Sequence, residues 1–207
     1  MSDALSPVRL SLFAKYPIAG FAKTRLIPAL GPQGAAALHR HLAARTCSLL
    51  LESGQPVTVH YTGAEEADFR KWLGDGAALE PQPEGDLTAR LLAAQIDGPH
   101  IFFGADTPDL SLDLVQQAIT ALADHAVTIG PAEDGGYYLI GMQKPLPALF
   151  IDMPWSTENV LPTTLARLQD MGIAPHILPA LSDCDRPEDL ERWPDLKDFA
   201  QPQKIQP

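Results

Sequence analysis

Strand-length apolar runs alternate with helical periodicity along most of this 207-residue chain, and that alternation restricts the fold more than any other feature. Val8 to Phe13, Val57 to Tyr61, Ile101 to Phe103, Ala126 to Ile129 and Tyr137 to Ile140 read as strands. Gly34 to Leu51, Ala64 to Leu73, Asp86 to Ile96 and Ser111 to Ala123 read as helices. The pattern predicts an α/β protein with a parallel or mixed sheet and helices on both faces. After Pro145 a helical pattern over Thr157 to Met171 is interrupted by Pro162. A strand near His176 to Leu178 and a last helix from Pro187 to Trp193 follow. The tail "PDLKDFAQPQKIQP" holds three prolines and little to bury, so it is expected to fray after about residue 194. One domain over residues 1–207 is the expectation, since neither a repeat nor a low-complexity linker divides the chain.

Charge narrows the partners. Fifteen Lys and Arg oppose 26 Asp and Glu for a net charge of -11, which speaks against DNA or RNA. The distribution is uneven, because up to Arg45 six cations (Arg9, Lys15, Lys23, Arg25, Arg40 and Arg45) meet one acid, Asp3. A local cationic pocket for a small anion follows. No apolar run approaches the roughly 18 residues of a membrane span, and the start lacks a basic leader before an apolar core, so a cytoplasmic protein is expected. Cys47 falls in a helical pattern and Cys184 in a polar loop, which is neither a zinc site nor a disulfide framework. His39 and His41, two apart on a helix, face different ways and are set aside as ligands.

In open α/β sheets ligands sit beyond the carboxyl ends of the strands, so chemistry is sought in the loops that follow them. "FAKYPIAGFAKTRL", after the first strand, lacks the glycines of a Walker A loop and of G-x-G-x-x-G. It nevertheless has the parts of an anion site: Gly20 permits close backbone approach, Lys23 supplies a point charge, and Arg25 offers a fork that grips phosphate. In "IFFGADTPDL" Asp106 arrives where a strand ends and Pro108 forces a turn, which suits a hard divalent cation, although a cap or turn role would use the same residue. Asp109 or Ser111 then caps the next helix. "GPAEDGGYYLIG" places Glu133 and Asp134 before Gly135 and Gly136, as either a hairpin turn or a site of close ligand approach. "SDCDRPEDL" reads locally as a helix start with Pro187 early in the helix and Asp185 and Glu188 as a capping pair.

Taken in order, "FAKYPIAGFAKTRL", "GDLTARL", "GADTPDL", "GPAEDGGYYLIG", "PWSTENVL" and "DCDRPEDL" resemble a bacterial family of nucleotide-diphospho-sugar transferase-like proteins. Its members are described as glycosyltransferases of the GT-A fold, some linked to arsenosugar biosynthesis. The resemblance runs from about Val8 to Trp193, and its K-T-R-L block is also similar to the guanylyltransferase that acts on phospholactate. Three positions depart from the family pattern: Thr88 replaces a glycine, the Cys common before Pro108 is missing, and Arg186 stands where a Thr cap is usual.

The resemblance implies a Rossmann-like GT-A fold with a mixed, mostly parallel sheet. It implies that Lys23 and Arg25 bind nucleotide phosphates, with Lys15 and Gly20 shaping their loop, and that Asp86 and Arg90 face the base or ribose. Asp106 and Asp185 would hold Mg2+ or Mn2+. Glu133, Asp134, Gly135, Gly136 and Trp155 would line the sugar or acceptor side. The expected activity is metal-dependent glycosyl transfer from a nucleoside-diphosphate sugar to a small-molecule acceptor, with Lys23, Arg25, Asp106 and Asp134 catalytic. The alternatives are nucleotidyl transfer from a nucleoside triphosphate and a nucleotide-binding module without catalysis.

Overall fold

The computed structural model describes residues 7–199. Seven strands form one sheet: β1 (Arg9–Lys15), β2 (Val57–Thr62), β3 (Ala78–Pro81), β4 (His100–Phe103), β5 (Val127–Pro131), β6 (Tyr137–Met142) and β7 (His176–Ile177). Their order is β3-β2-β1-β4-β6-β5-β7. β6 runs antiparallel to both β4 and β5, and the other pairings are parallel. The helices are α1 (Ile27–Glu52), α2 (Glu66–Leu73), α3 (Leu87–Ala94), α4 (Leu112–Asp124), α5 (Val160–Asp170) and α6 (Leu196–Phe199). No helix among the described residues is long and apolar enough to cross a membrane.

Side chains alternate across each strand, so both faces of the sheet need a cover. On one face Leu10, Leu12, Val59, Ile101 and Phe103 pack with Ala43, Cys47 and Leu50 of α1, Phe69 of α2 and Val115 and Ala118 of α4. On the other, Phe102, Ile129, Ile140 and Met142 pack with Leu91 of α3 and Leu168 of α5. Each fully buried large apolar side chain contributes about 1.5 to 3 kcal/mol, and these two layers therefore hold the sheet that carries the loops.

A third, smaller cluster lies at the site itself. Leu26, Leu38 and Leu42, from the start of the chain, close over Cys184, Leu190 and Leu196 from its end. Leu196, in the tail where composition predicts fraying, is 8% exposed within the short helix Leu196–Phe199. Residues 200–207, the rest of that predicted tail, lie outside the described residues. Cys184, expected in a polar loop, is fully buried, and burial pushes its thiol up to about 11.

Two elements differ from expectation for local reasons. α1 extends back to Ile27 through a break at Gly31, whose positive φ of 68° glycine tolerates before Pro32 restarts the helix. β3 lacks a sequence signature because only Leu79 of its four residues is half-buried, and it ends at Pro81, which an edge strand tolerates.

Candidate active site at the carboxyl edge of the sheet

β1 pairs with β2 on one side and β4 on the other, so the loops leaving the carboxyl ends of β1 and β4 are neighbours at the edge of the sheet where α/β folds bind ligands in a crevice. The loop after β1 is bent by Gly20, at a φ of 85°, and tied by Lys15, whose Nζ donates to the Phe21 carbonyl at 3.1 Å. Lys23 has a left-handed backbone (φ 43°, ψ 50°) and begins the tight turn Thr24–Leu26, whose Leu26 is fully buried. Such a conformation costs a non-glycine residue about 1 to 2 kcal/mol, so surrounding contacts must hold it.

They do so through a clasp. The Lys23 ammonium donates to Asp106 Oδ1 at 2.6 Å, to the Cys184 carbonyl at 2.7 Å and to Asp185 Oδ1 at 3.0 Å. An ammonium has three donors, and here each has an oxygen. The Lys23 side chain is 3% exposed, while those of Asp106 and Asp185 are 41% and 42% exposed. Burial alone would lower the Lys23 pKa, yet the two carboxylates raise it above its ordinary value. Burial would likewise raise Asp106, but Lys23 and His39 outweigh it and hold the carboxyl below the usual carboxylate range. The Cys184 N–H donates to the Asp106 carbonyl at 2.9 Å, joining the loop after β4 to the chain beyond β7.

Asp185 is free for this contact because a different acid caps the helical turn at Pro187–Glu191. Asp189 Oδ2 accepts the N–H groups of Asp185 at 2.9 Å and Arg186 at 2.7 Å, in place of the expected pairing of Asp185 with Glu188. Ser111 caps α4, while Asp109 accepts from Trp193 Nε1 at 2.9 Å. Arg25, with its side chain 63% exposed, reaches within 3.9 Å of Asp185.

A polar cavity of about 520 Å³ adjoins the clasp, lined by Arg25, Glu133, Asp134, Asp183, Asp185 and Arg192 among others. Its floor is the turn between β5 and β6. Asp134 Oδ1 accepts the Gly136 N–H at 2.9 Å, and Gly135 adopts a φ of 90°. A Cβ on Gly135 would come within 2.4 Å of the Glu158 carbonyl oxygen, so the glycine also permits close backbone packing. Glu133 pairs with Arg192 at 2.6 Å, and hydrogen bonds from Ser182 and Arg192 hold its carboxyl below its ordinary value. Trp155 lies elsewhere, on an apolar cavity of about 140 Å³ with Phe13, Leu87, Phe103 and Tyr137. Thr88, at the family's glycine position, accepts from Trp155 Nε1 at 2.8 Å and donates to the Phe150 carbonyl at 3.1 Å. Asp86 caps α3 by accepting the Ala89 N–H at 2.9 Å, and the buried Arg90 Nε on that helix has no hydrogen-bond partner.

Two residues join the site that sequence reading does not place there. His39, set aside as half of a metal pair, hydrogen-bonds the Lys15 carbonyl through Nε2 at 2.9 Å and turns Nδ1 to within 3.9 Å of Asp106 Oδ1. Asp183 accepts from Thr107 at 2.5 Å, and burial together with the neighbouring acids Asp106, Asp185 and Asp134 raises its pKa to about 6. The alternation in "SDCD" was its available signal, since Asp183 and Asp185 flank a buried Cys184.

Among the described residues no three His, Cys, Asp or Glu side chains converge to hold a metal by themselves. The donor set at the clasp nevertheless fits one. Asp106 and Asp185 already share a single cation, and both side chains keep substantial exposure to the crevice. Mg2+ characteristically takes one or two carboxylates and completes its shell with water and substrate phosphates.

The fold is that of the nucleotide-diphospho-sugar transferases. A protein from Desulfovibrio desulfuricans G20, provisionally assigned as a nucleotide-diphospho-sugar transferase, is 30% identical over 90% of this chain and 85% of its own, with a TM-score of 0.83. The fold extends to an inositol-1-phosphate CTP transferase from T. maritima, with 13% identity, 98% and 100% coverage and a TM-score of 0.55. It also extends to glucosyl-3-phosphoglycerate synthase from Mycobacterium tuberculosis, solved with Mn2+, UDP and glucosyl-3-phosphoglycerate, with 13% identity, 93% and 76% coverage and a TM-score of 0.50. Residues 45–157 match the family described as "Uncharacterized protein conserved in bacteria (DUF2064)", and the chain belongs to that family. No curated protein gives a significant match.

Proposed function

We propose that the protein is a divalent-metal-dependent transferase acting on a nucleotide-activated substrate, with glycosyl transfer from a nucleoside-diphosphate sugar as its reaction. The observation that carries this reading is the convergence of Lys23, Asp106 and Asp185 from three distant segments at the mouth of the crevice, beside a cavity large enough for a second substrate. The likeness to the Desulfovibrio desulfuricans protein supports the use of a nucleotide sugar. The Mn2+ and UDP bound by the mycobacterial synthase agree with the metal and nucleotide class.

In this reading Asp106 and Asp185 hold Mg2+ or Mn2+. The ion, when bound, supplies positive charge against the diphosphate that departs. Arg25 grips a phosphate with its exposed guanidinium, and Lys23 opposes the same developing charge from below. Lys15 and Gly20 shape the loop that carries these two cations, and Asp86 and Arg90 face the base or ribose. Asp134 has one oxygen committed to Gly136 and lines the cavity, where it orients or deprotonates the acceptor hydroxyl. Glu133 is bound to Arg192 and shapes the wall. Trp155 contributes an apolar surface apart from that cavity.

The test is a panel of nucleoside-diphosphate sugars and nucleoside triphosphates, titrated with and without Mn2+ into wild type and Asp106→Asn. Wild type should tighten on the nucleotide when Mn2+ is present and the variant should not, because Asn lacks the charge a hard cation needs. Turnover should release a nucleoside diphosphate. Release of pyrophosphate from a triphosphate would establish nucleotidyl transfer instead, and metal-independent affinity in wild type would remove the metal from the reaction.

A further inference from the structure

The clasp brings a fully bonded ammonium to the oxygens that the proposed metal needs. Lys23 Nζ touches Asp106 Oδ1 at 2.6 Å and Asp185 Oδ1 at 3.0 Å, and its third donor is taken by the Cys184 carbonyl. The side chain is 3% exposed, so this contact is sheltered from the solvent that weakens surface pairs. It is also held by the backbone, since Lys23 keeps a left-handed conformation beside the buried Leu26. A cation arriving alone must therefore compete with one already in place, using carboxylate oxygens partly neutralised by it. Among the described residues no group of three or more His, Cys, Asp or Glu is arranged to hold a metal by itself. The missing ligands can come from phosphate oxygens, and phosphate also offers the ammonium new acceptors in exchange for those it gives up.

We propose that Lys23 is a resident counter-ion for the carboxylate pair, which yields Asp106 and Asp185 to the divalent metal only as the phosphates of the substrate arrive. Metal binding is then conditional on nucleotide, and the free enzyme is protected from taking up cations on its own. The inference rests on the assignment of Asp106 and Asp185 as metal carboxylates. It adds the order of events and the residue that enforces it. Lys23 moves between two anionic partners while the charge it faces is balanced at each stage.

The experiment uses Mn2+ alone and Mn2+ with pyrophosphate, a probe that carries the diphosphate and leaves base identity aside. Free and bound Mn2+ are counted by electron paramagnetic resonance for wild type and Lys23→Met, which keeps much of the length and removes the charge. Lys23→Met should bind Mn2+ alone about tenfold or more tightly than wild type, because two carboxylates are released from their internal partner. Pyrophosphate should tighten Mn2+ strongly in wild type and much less in the variant. Equal or weaker binding of Mn2+ alone by a folded Lys23→Met, with wild type still binding Mn2+ when pyrophosphate is present, would overturn the counter-ion role and leave the metal site standing. Failure of Mn2+ to bind in any arm would overturn the metal site and the inference with it.

Should the variant not fold, the wild-type ammonium decides the matter through its 15N resonance. Mg2+ alone should leave the Lys23 ammonium signal in place, and Mg2+ with pyrophosphate should shift it. A shift with saturating Mg2+ alone, equal to that with pyrophosphate, would overturn the proposal.

Discussion

Two ion pairs at this site close to the same 2.6 Å, Lys23 with Asp106 and Arg192 with Glu133, and they sit in opposite surroundings. Lys23 is 3% exposed and bonded by three oxygens drawn from two far segments of the chain. Arg192 and Glu133 are each more than half exposed on the wall of the cavity. Distance is therefore a poor guide to energy. A buried charge that loses its partner retains its desolvation cost, whereas an exposed one regains water. The first pair joins three loops of the free protein through sheltered contacts, and the second lies on the exposed wall of the cavity.

The widest separation between these regions should appear in turnover. Asp134→Asn, on the cavity side, should lower transfer by about a hundredfold or more while nucleotide and Mn2+ affinity stay near wild type, since general-base assistance is typically of that size. Initial rates with an identified acceptor, or donor hydrolysis in its absence, provide the measurement. Unchanged turnover would mean that Asp134 serves only the turn it caps.

Stability should separate the two ion pairs themselves. Lys23→Met should destabilise the free protein by about 2 to 3 kcal/mol, below the full cost of breaking a buried pair because both carboxylates remain partly exposed. Arg192→Ala should leave the melting temperature unchanged within error. Urea unfolding of the two variants side by side would break the comparison if both lost the same amount.

A smaller effect concerns Asp183, between the two regions. Its folded pKa, about 6, lies above the value near 3.9 of an unfolded aspartate, so the native state holds its proton longer. This contribution favours the fold fully below about pH 4 and is lost as pH rises toward 6 and beyond. Asp183→Asn can still accept the Thr107 hydrogen bond, so it should flatten that slope and raise the melting temperature at pH 8 relative to wild type. An unchanged difference in melting temperature between pH 4 and pH 8 would show that Asp183 is not held among like charges.

Local chemistry made much of this molecule legible. Six of seven strands and five of the helices follow apolar period and length, and the sixth strand's antiparallel return is contained in the short D-G-G connection. β3 was hidden because an exposed edge strand has no buried face to write into the sequence. Lys23, Arg25 and Asp106 were visible as charges in loops that follow strands, and Asp185 emerged from its family resemblance. His39 carries no local signal of its role, because helix spacing relates it only to His41 while its partner is Asp106, 67 residues further along the chain.

The sequence by itself determined the alternating elements, the turns and the placing of charges beyond strand ends, because periodicity, glycine and proline act over a few residues. Only the tertiary structure decided who faces whom. It spent all three Lys23 donors inside the protein, left Asp185 uncapped for that contact by using Asp189 instead, and sent Trp155 to a separate apolar cavity. Those outcomes depend on the closure of the first and last segments over Leu26, Cys184 and Leu196, a contact between residues more than 150 positions apart that no local pattern encodes.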